Sequence, residues 1–134
     1  MASIGLVAVG GCGGTGLRYL ITMLTPEAAG ISIATFVINV VGAFLLGVLL
    51  ELLADHSPDT GWSRRMRLGL GTGGLGGFTT YSALATQTVI LAATNPGRAL
   101  GYALGTVIVG AAASIAGIWL ARQHWRPPMI KKEV

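Results

Sequence analysis

The chain has 134 residues, 52% of them hydrophobic and only 10% charged, with a formal net charge of +4. Its mean hydropathy is +0.69, and its few charges gather between long apolar runs, which is the composition of a membrane protein and not of a soluble domain. The basic balance therefore reads as loop charge that sets orientation, not as a nucleic-acid surface, and a lone Cys12 excludes a disulfide framework or a cysteine metal site.

A spanning helix needs about 20 largely apolar residues. The first candidate covers roughly residues 4–24. It holds Gly10, Gly11, Gly13, Gly14 and Gly16, then Arg18 and Tyr19. Small residues let helix backbones approach closely in lipid. Arg18 lies in the last third of this run, where it either snorkels to the interface or faces a watery, anion-attracting cavity. A cleaved signal peptide is not expected, because the run has no basic segment before it and ends in Arg18-Tyr19. Thr25-Pro26-Glu27 is a turn.

The second candidate covers roughly residues 31–53. Thr35 and Asn39 share one helical face, with Gly42, Ala43 and Gly47 beside it. A buried amide needs a partner. Asn39 is therefore either an interhelical hydrogen bonder or a pore-facing donor. The following loop carries His56, Pro58, Asp59, Trp62 and the cluster Arg64, Arg65, Arg67. His56 has no ligand-spaced companion, and Trp62 suits the interfacial belt.

The third candidate, roughly residues 68–93, begins GLGTGGLGG at Gly69 and continues with Thr, Tyr and Ser. Glycine costs roughly 1 kcal/mol per helix-interior position relative to alanine, so these glycines predict a helix that is interrupted within the membrane or is held by close neighbours. Irregular backbone at that depth survives only where protein buries it or water lines it, and its freed carbonyls can bind a cation. Asn95-Pro96-Gly97 is a turn. The fourth candidate covers roughly residues 99–121, where Tyr102, Thr106, Gly110 and Ser114 recur at i+4 to form a polar or small stripe. That stripe serves either helix packing or a hydroxyl-lined path. Trp119 and Trp125 suit the interface, and Arg122, Arg126, Lys131 and Lys132 make a basic tail.

The expected fold is thus a single all-α integral membrane domain over residues 1–134, with four transmembrane helices and the third broken mid-membrane. Four spans place both termini with the basic loop. Arg64, Arg65, Arg67, Arg122, Arg126, Lys131 and Lys132 lie on that side, against Arg98 and the nearby Arg18 on the other. The positive-inside rule puts both termini in the cytoplasm. The acids Glu27, Glu51, Asp55, Asp59 and Glu133 all avoid mid-span positions, which argues against a proton-coupled exporter. No nucleophile triad, zinc-protease motif or phosphate loop occurs, so no enzyme is expected.

Three motifs in order resemble the CrcB/Fluc fluoride channels. Gly10-Gly11, Gly14 and Arg18-Tyr19 are similar to that family's first-helix pattern. Thr35, Asn39, Gly42, Phe44 and Gly47 are similar to its second. Gly71-Thr72-Gly73 with Gly76-Gly77-Phe78-Thr79-Thr80-Tyr81-Ser82 is similar to its third. The resemblance implies a passive fluoride-specific channel that exports fluoride from a prokaryotic cytoplasm across the inner membrane and so confers fluoride resistance. It implies an antiparallel dimer with fluoride pores lined by Asn39, Thr35, Tyr81, Ser82, Tyr102, Thr106 and Ser114, and Arg18 near the vestibule. It also implies a structural sodium ion at the dimer interface, held by the backbone carbonyls of Gly76 and Thr79.

The sequence departs from the family at Tyr81 and Leu84, which stand where it has phenylalanines, and at Gly74 just upstream. Tyrosine still offers a ring edge to an anion, and leucine does not. With the strong charge bias, this leads to the expectation that the chain pairs with an oppositely oriented, unlike CrcB/Fluc subunit. A homodimer is the other reading. A non-conducting assembly or regulatory subunit of such a channel is the rival function.

Overall fold

The computed structural model describes residues 2–26, 31–54 and 61–125. The expectations for Glu27, His56, Pro58, Asp59 and the basic positions Arg126, Lys131 and Lys132 fall outside the described residues. Those residues form helices α1 (Ala2–Leu24), α2 (Ile33–Ala54) and α3 (Gly61–Met66), a π-helical segment (Arg67–Leu75), and helices α4 (Gly76–Phe78), α5 (Tyr81–Ala92) and α6 (Pro96–Trp125).

Helix ends follow local chemistry. Helix α1 stops before Pro26, which has no N–H to continue the ladder, and Thr25 Oγ1 donates back to Ile21 O at 2.8 Å. Ser32 caps α2 by accepting from Thr35 N at 3.3 Å. Asn95 Oδ1 accepts from Arg98 N at 3.0 Å, and Pro96 takes the first helical position of α6, where a missing N–H costs nothing.

Among the described residues, three helices are long and apolar enough to cross a membrane: Ser3–Leu24, Ile33–Ala54 and Pro96–His124. The uncharged third run is not one rod, because residues 79 and 80 leave the helical conformation and divide it. The glycines do not make that division. Gly69, Gly71, Gly73 and Gly74 lie in the π-helical segment and Gly76 and Gly77 in α4, and the Gly76 N–H reaches back to Gly71 O, one residue further than an α-helix allows.

Close backbone packing explains why so many glycines stay helical. Helix α1 lies directly on the π-helical segment and α4. A Cβ added at Gly73 would sit 2.6 Å from Val7 O and 3.1 Å from Gly11 N. One added at Gly77 would sit 2.5 Å from Gly11 O and 3.0 Å from Thr15 Oγ1. Gly10 and Gly14 reciprocate against Gly69 and Gly74 carbonyls. The propensity cost of glycine is offset here by dispersion contacts that no larger residue permits. Helix α2 packs on α6 in the same way, with Gly47 against the Ser114 backbone and Gly117 against Phe44 O. Two small apolar clusters complete the interior. Ala34, Ile38 and Phe78 pack with Ile21, and Leu84, Leu91, Ala99 and Tyr102 pack with Ile31 and Phe36. At the ends of α2 and α6, Arg122 Nε donates to Glu51 Oε1 at 2.9 Å.

Candidate functional site

The chain between α4 and α5 determines the site. Thr79 has φ −74° and ψ 156°, and Thr80 has φ −150° and ψ 112°, both extended. Extended backbone inside a helical bundle needs partners for its peptide groups. Asn39 on α2 supplies them with both ends of its amide. Its Nδ2 donates to Thr80 O at 3.1 Å, and its Oδ1 accepts from Thr80 N at 2.8 Å. One side chain thus stands in for a neighbouring strand. Thr80 then starts α5, its Oγ1 accepting from Ala83 N at 3.1 Å.

This redirection has a chemical consequence. In a continuous α-helix the Thr80 N–H would bond Gly76 O and the Ala83 N–H would bond Thr79 O. Here those amides donate instead to Asn39 Oδ1 and Thr80 Oγ1. The carbonyls of Gly76 and Thr79 are therefore released from their ordinary helical donors, within four residues of each other.

The residues that carry them line a cleft of about 390 Å³ between α2, the divided third run and α6. Asn39, Gly76, Thr79, Thr80, Tyr81 and Leu84 form one side of its lining, and Thr106 and Gly110 close it from α6. Asn39 carries a second Nδ2 hydrogen beyond the one given to Thr80 O. The cleft therefore offers amide, hydroxyl and carbonyl dipoles on a largely apolar wall, the kind of surface that substitutes for an ion's hydration shell without fixed charge.

Five of the residues singled out from the sequence share this cleft: Asn39, Tyr81, Thr106, Gly76 and Thr79. Tyr81 also lines it and is 82% exposed. Ser82 is beside it, its Oγ 3.2 Å from Thr80 Oγ1. Thr106 is buried, and its hydroxyl donates to Tyr102 O at 2.7 Å. Thr35 and Tyr102 sit a turn away in a separate buried cluster. There Thr35 Oγ1 lies 3.0 Å from Ser32 Oγ, and Tyr102 donates to Ser32 O at 3.2 Å. Ser114 lies further along α6, where its backbone meets Gly47. Arg18 is on α1, which contributes no wall to the cleft, and its buried Nε has no hydrogen-bond partner among the described residues. Leu84 is both a cleft residue and, at 7% exposure, part of the α5–α6 apolar cluster.

Neither Thr80, which lies in the third motif, nor Ser32 was given a site role by sequence reasoning. A threonine directly before an apolar helical run is a helix-cap signal, and it was available for Thr80. Its bond to Asn39, 41 residues away, leaves no trace in local sequence.

Comparison with known proteins gives a consistent result. The family model described as "CrcB-like protein, Camphor Resistance (CrcB)" matches residues 5–118. A protein of Leifsonia xyli subsp. xyli named "Fluoride-specific ion channel FluC 2" is 54% identical over 116 residues, covering 86% of this chain and 80% of that one. "Fluoride-specific ion channel FluC 1" of Cutibacterium acnes is 53% identical over 85 residues, 63% of this chain and 59% of that one. "Fluoride-specific ion channel FluC" of Agrobacterium fabrum is 40% identical over 125 residues, 91% of this chain and 98% of that one.

Proposed function

This chain belongs to the CrcB-like family, and from that membership we propose that it is a multi-pass membrane subunit of a passive fluoride-specific channel, not an enzyme, exporting fluoride from the cytoplasm. The observation that carries the proposal is the Asn39 clamp on extended Thr79-Thr80, which opens a dipole-lined cleft within an otherwise apolar bundle. Fluoride is small and strongly hydrated, so a pore must replace its water with N–H and O–H donors and ring edges. Asn39, Tyr81 and Thr106 would line the path within the cleft. Thr35, Ser82, Tyr102 and Ser114 would extend it, and Arg18 would draw anions into a vestibule.

In this reading residues 68–93 make a fourth crossing, with extended Thr79-Thr80 as its mid-membrane break. Two subunits insert in opposite directions and pair. The open outer face of α1 supports such a pairing: Gly5, Gly13 and Gly16 have nothing within 4 Å of an added Cβ, and Val9 and Leu20 on the same face are exposed. The charge bias places both termini in the cytoplasm. It opposes insertion of one sequence both ways, so the partner is an unlike subunit of the same family. The numbered names of the Leifsonia xyli and Cutibacterium acnes relatives are in keeping with that.

A sodium ion suits the carbonyls of Gly76 and Thr79, because a hard cation takes neutral oxygen ligands and these two have lost their helical amide donors. The ion would supply structural charge at the dimer axis. Gly76 and Thr79 would hold it, and Asn39 would keep the backbone in the shape that frees them.

Leu84 favours a second reading, in which the chain assembles or regulates the channel without conducting. The variant Asn39→Asp separates the two, since a carboxylate in an anion path abolishes fluoride flux while a purely assembling subunit retains it. Channel-rate fluoride efflux from liposomes holding this chain alone would overturn the unlike-pair proposal.

A further inference from the structure

The end of the molecule opposite Arg98 carries a surface that fluoride conduction does not use. Helix α3 lies beside the start of α1, and together they form a cleft of about 400 Å³ lined by Ser3, Leu6, Arg64, Arg65 and Leu68. Both arginines are exposed, and neither guanidinium has a hydrogen bond or ion pair among the described residues. Ser3 and Leu68 also line a second, wholly apolar groove that continues along α1 past Ile4, Val7 and Ala8. At 1.5 Å rise per residue, Ser3 to Ala8 descends about 7–8 Å, roughly the depth from headgroup level to the first acyl carbons. Trp62, 71% exposed on the same short helix, marks that level as interfacial.

The surface is thus cationic at one end, apolar at the other, and continuous through shared residues. A free anion would satisfy only the first half, and a neutral acyl chain only the second. We infer that this is a site for one anionic phospholipid, its phosphate between Arg64 and Arg65 with the Ser3 hydroxyl in reach, and one acyl chain along Ile4, Val7 and Ala8. The inference rests on the membrane reading of the chain and not on fluoride selectivity. Diffuse attraction of a basic loop to an acidic leaflet also exists. It would depend on charge alone and would ignore the shape of the groove.

The test is lipid binding to the full-length protein in detergent, read by native mass spectrometry with palmitoyl-oleoyl phosphatidylglycerol or phosphatidylcholine added. Phosphatidylglycerol should form a single-lipid adduct that survives washing, and phosphatidylcholine should not. Arg64→Gln with Arg65→Gln should weaken that adduct roughly 10- to 30-fold, from the usual contribution of two cations near a membrane surface. Ala8→Trp, which fills the apolar groove and leaves every charge in place, should weaken it by a similar factor. Arg98→Gln, at the other end, should change nothing. Where the double variant does not fold, Arg65→Gln alone serves. The inference is overturned if Ala8→Trp binds like the parent, if Arg98→Gln weakens binding as much as the pair, or if glycerol 3-phosphate alone displaces the lipid at equal concentration. Because the readout is a lipid adduct, a failed fluoride assay leaves it untouched, and its own failure says nothing about fluoride.

Discussion

Replacing Asn39 with alanine removes the one side chain that holds residue 80 out of the helix. Two hydrogen bonds of 3.1 and 2.8 Å disappear, and the Thr80 carbonyl and N–H lose their partners. An unsatisfied buried peptide group costs about 1–3 kcal/mol. Thr80 borders the cleft, where water can enter, so the low end applies to each group and the total is about 2 kcal/mol. That corresponds to about 30-fold in the population of the extended geometry. The freed Thr80 N–H can also return to Gly76 O, repairing the helix and consuming one of the two carbonyls proposed for sodium. The lost Nδ2 hydrogen toward the anion adds about 1.5–3 kcal/mol, the worth of a hydrogen bond to a charged group. Combined, Asn39→Ala should lower fluoride flux roughly 10³-fold and lower the thermal midpoint of the detergent-purified complex. Flux is read with a fluoride electrode on liposomes after a potassium ionophore is added, and stability by the loss of the assembled peak on heating. Flux within threefold of the parent, with an unchanged midpoint, would refute the assignment of Asn39 as the clamp.

Gly77→Ala places a methyl 2.5 Å from Gly11 O and should force α1 away, costing about 1–3 kcal/mol, whereas Gly105→Ala on α6 has nothing within 4 Å and should raise the midpoint by up to about 1 kcal/mol equivalent through helix propensity. Equal midpoints for the two in a detergent thermal-stability series would contradict the backbone packing described for α1. Leu84→Phe adds volume to a residue 7% exposed in the α5–α6 cluster and should lower the midpoint by about 1 kcal/mol equivalent, since its cleft side gives some room. A stabilised complex would show that the site prefers a ring. Exchanging sodium for a large organic cation during purification should weaken subunit pairing, measured as the monomer fraction on dilution in lipid. Pairing that is indifferent to sodium would remove the cation from the account.

The membrane character and family of this chain were legible because both rest on features that survive without coordinates: long apolar runs, and short motifs at fixed spacing around Asn39 and Thr79. The sequence left two roles open for the glycines, a break or close neighbours. From residues 69–77 alone, glycine signals a weak helix; in the fold it signals contact, because Gly10 and Gly14 on α1 meet the same backbone. That distinction needs the partner surface. The departure from helix at Thr79-Thr80 depends likewise on Asn39, 41 positions away, whose amide competes with the helical ladder and wins at one residue. The shared helical face of Thr35 and Asn39 was readable from spacing, but not that Ser32 would engage the first while Thr80 engaged the second. Leu84 was noticed as the place of a missing aromatic ring. Its second role, packing against Leu91 and Tyr102, comes only from the way α5 crosses α6.

The central claim is that fluoride passes through an assembly built on this chain. The complex purified through an affinity tag on the chain, with any subunit that accompanies it, is reconstituted into liposomes loaded with potassium fluoride or potassium chloride. On adding a potassium ionophore, fluoride should empty within seconds while chloride stays inside. Fluoride held until detergent is added, or chloride leaving as fast as fluoride, would contradict the account.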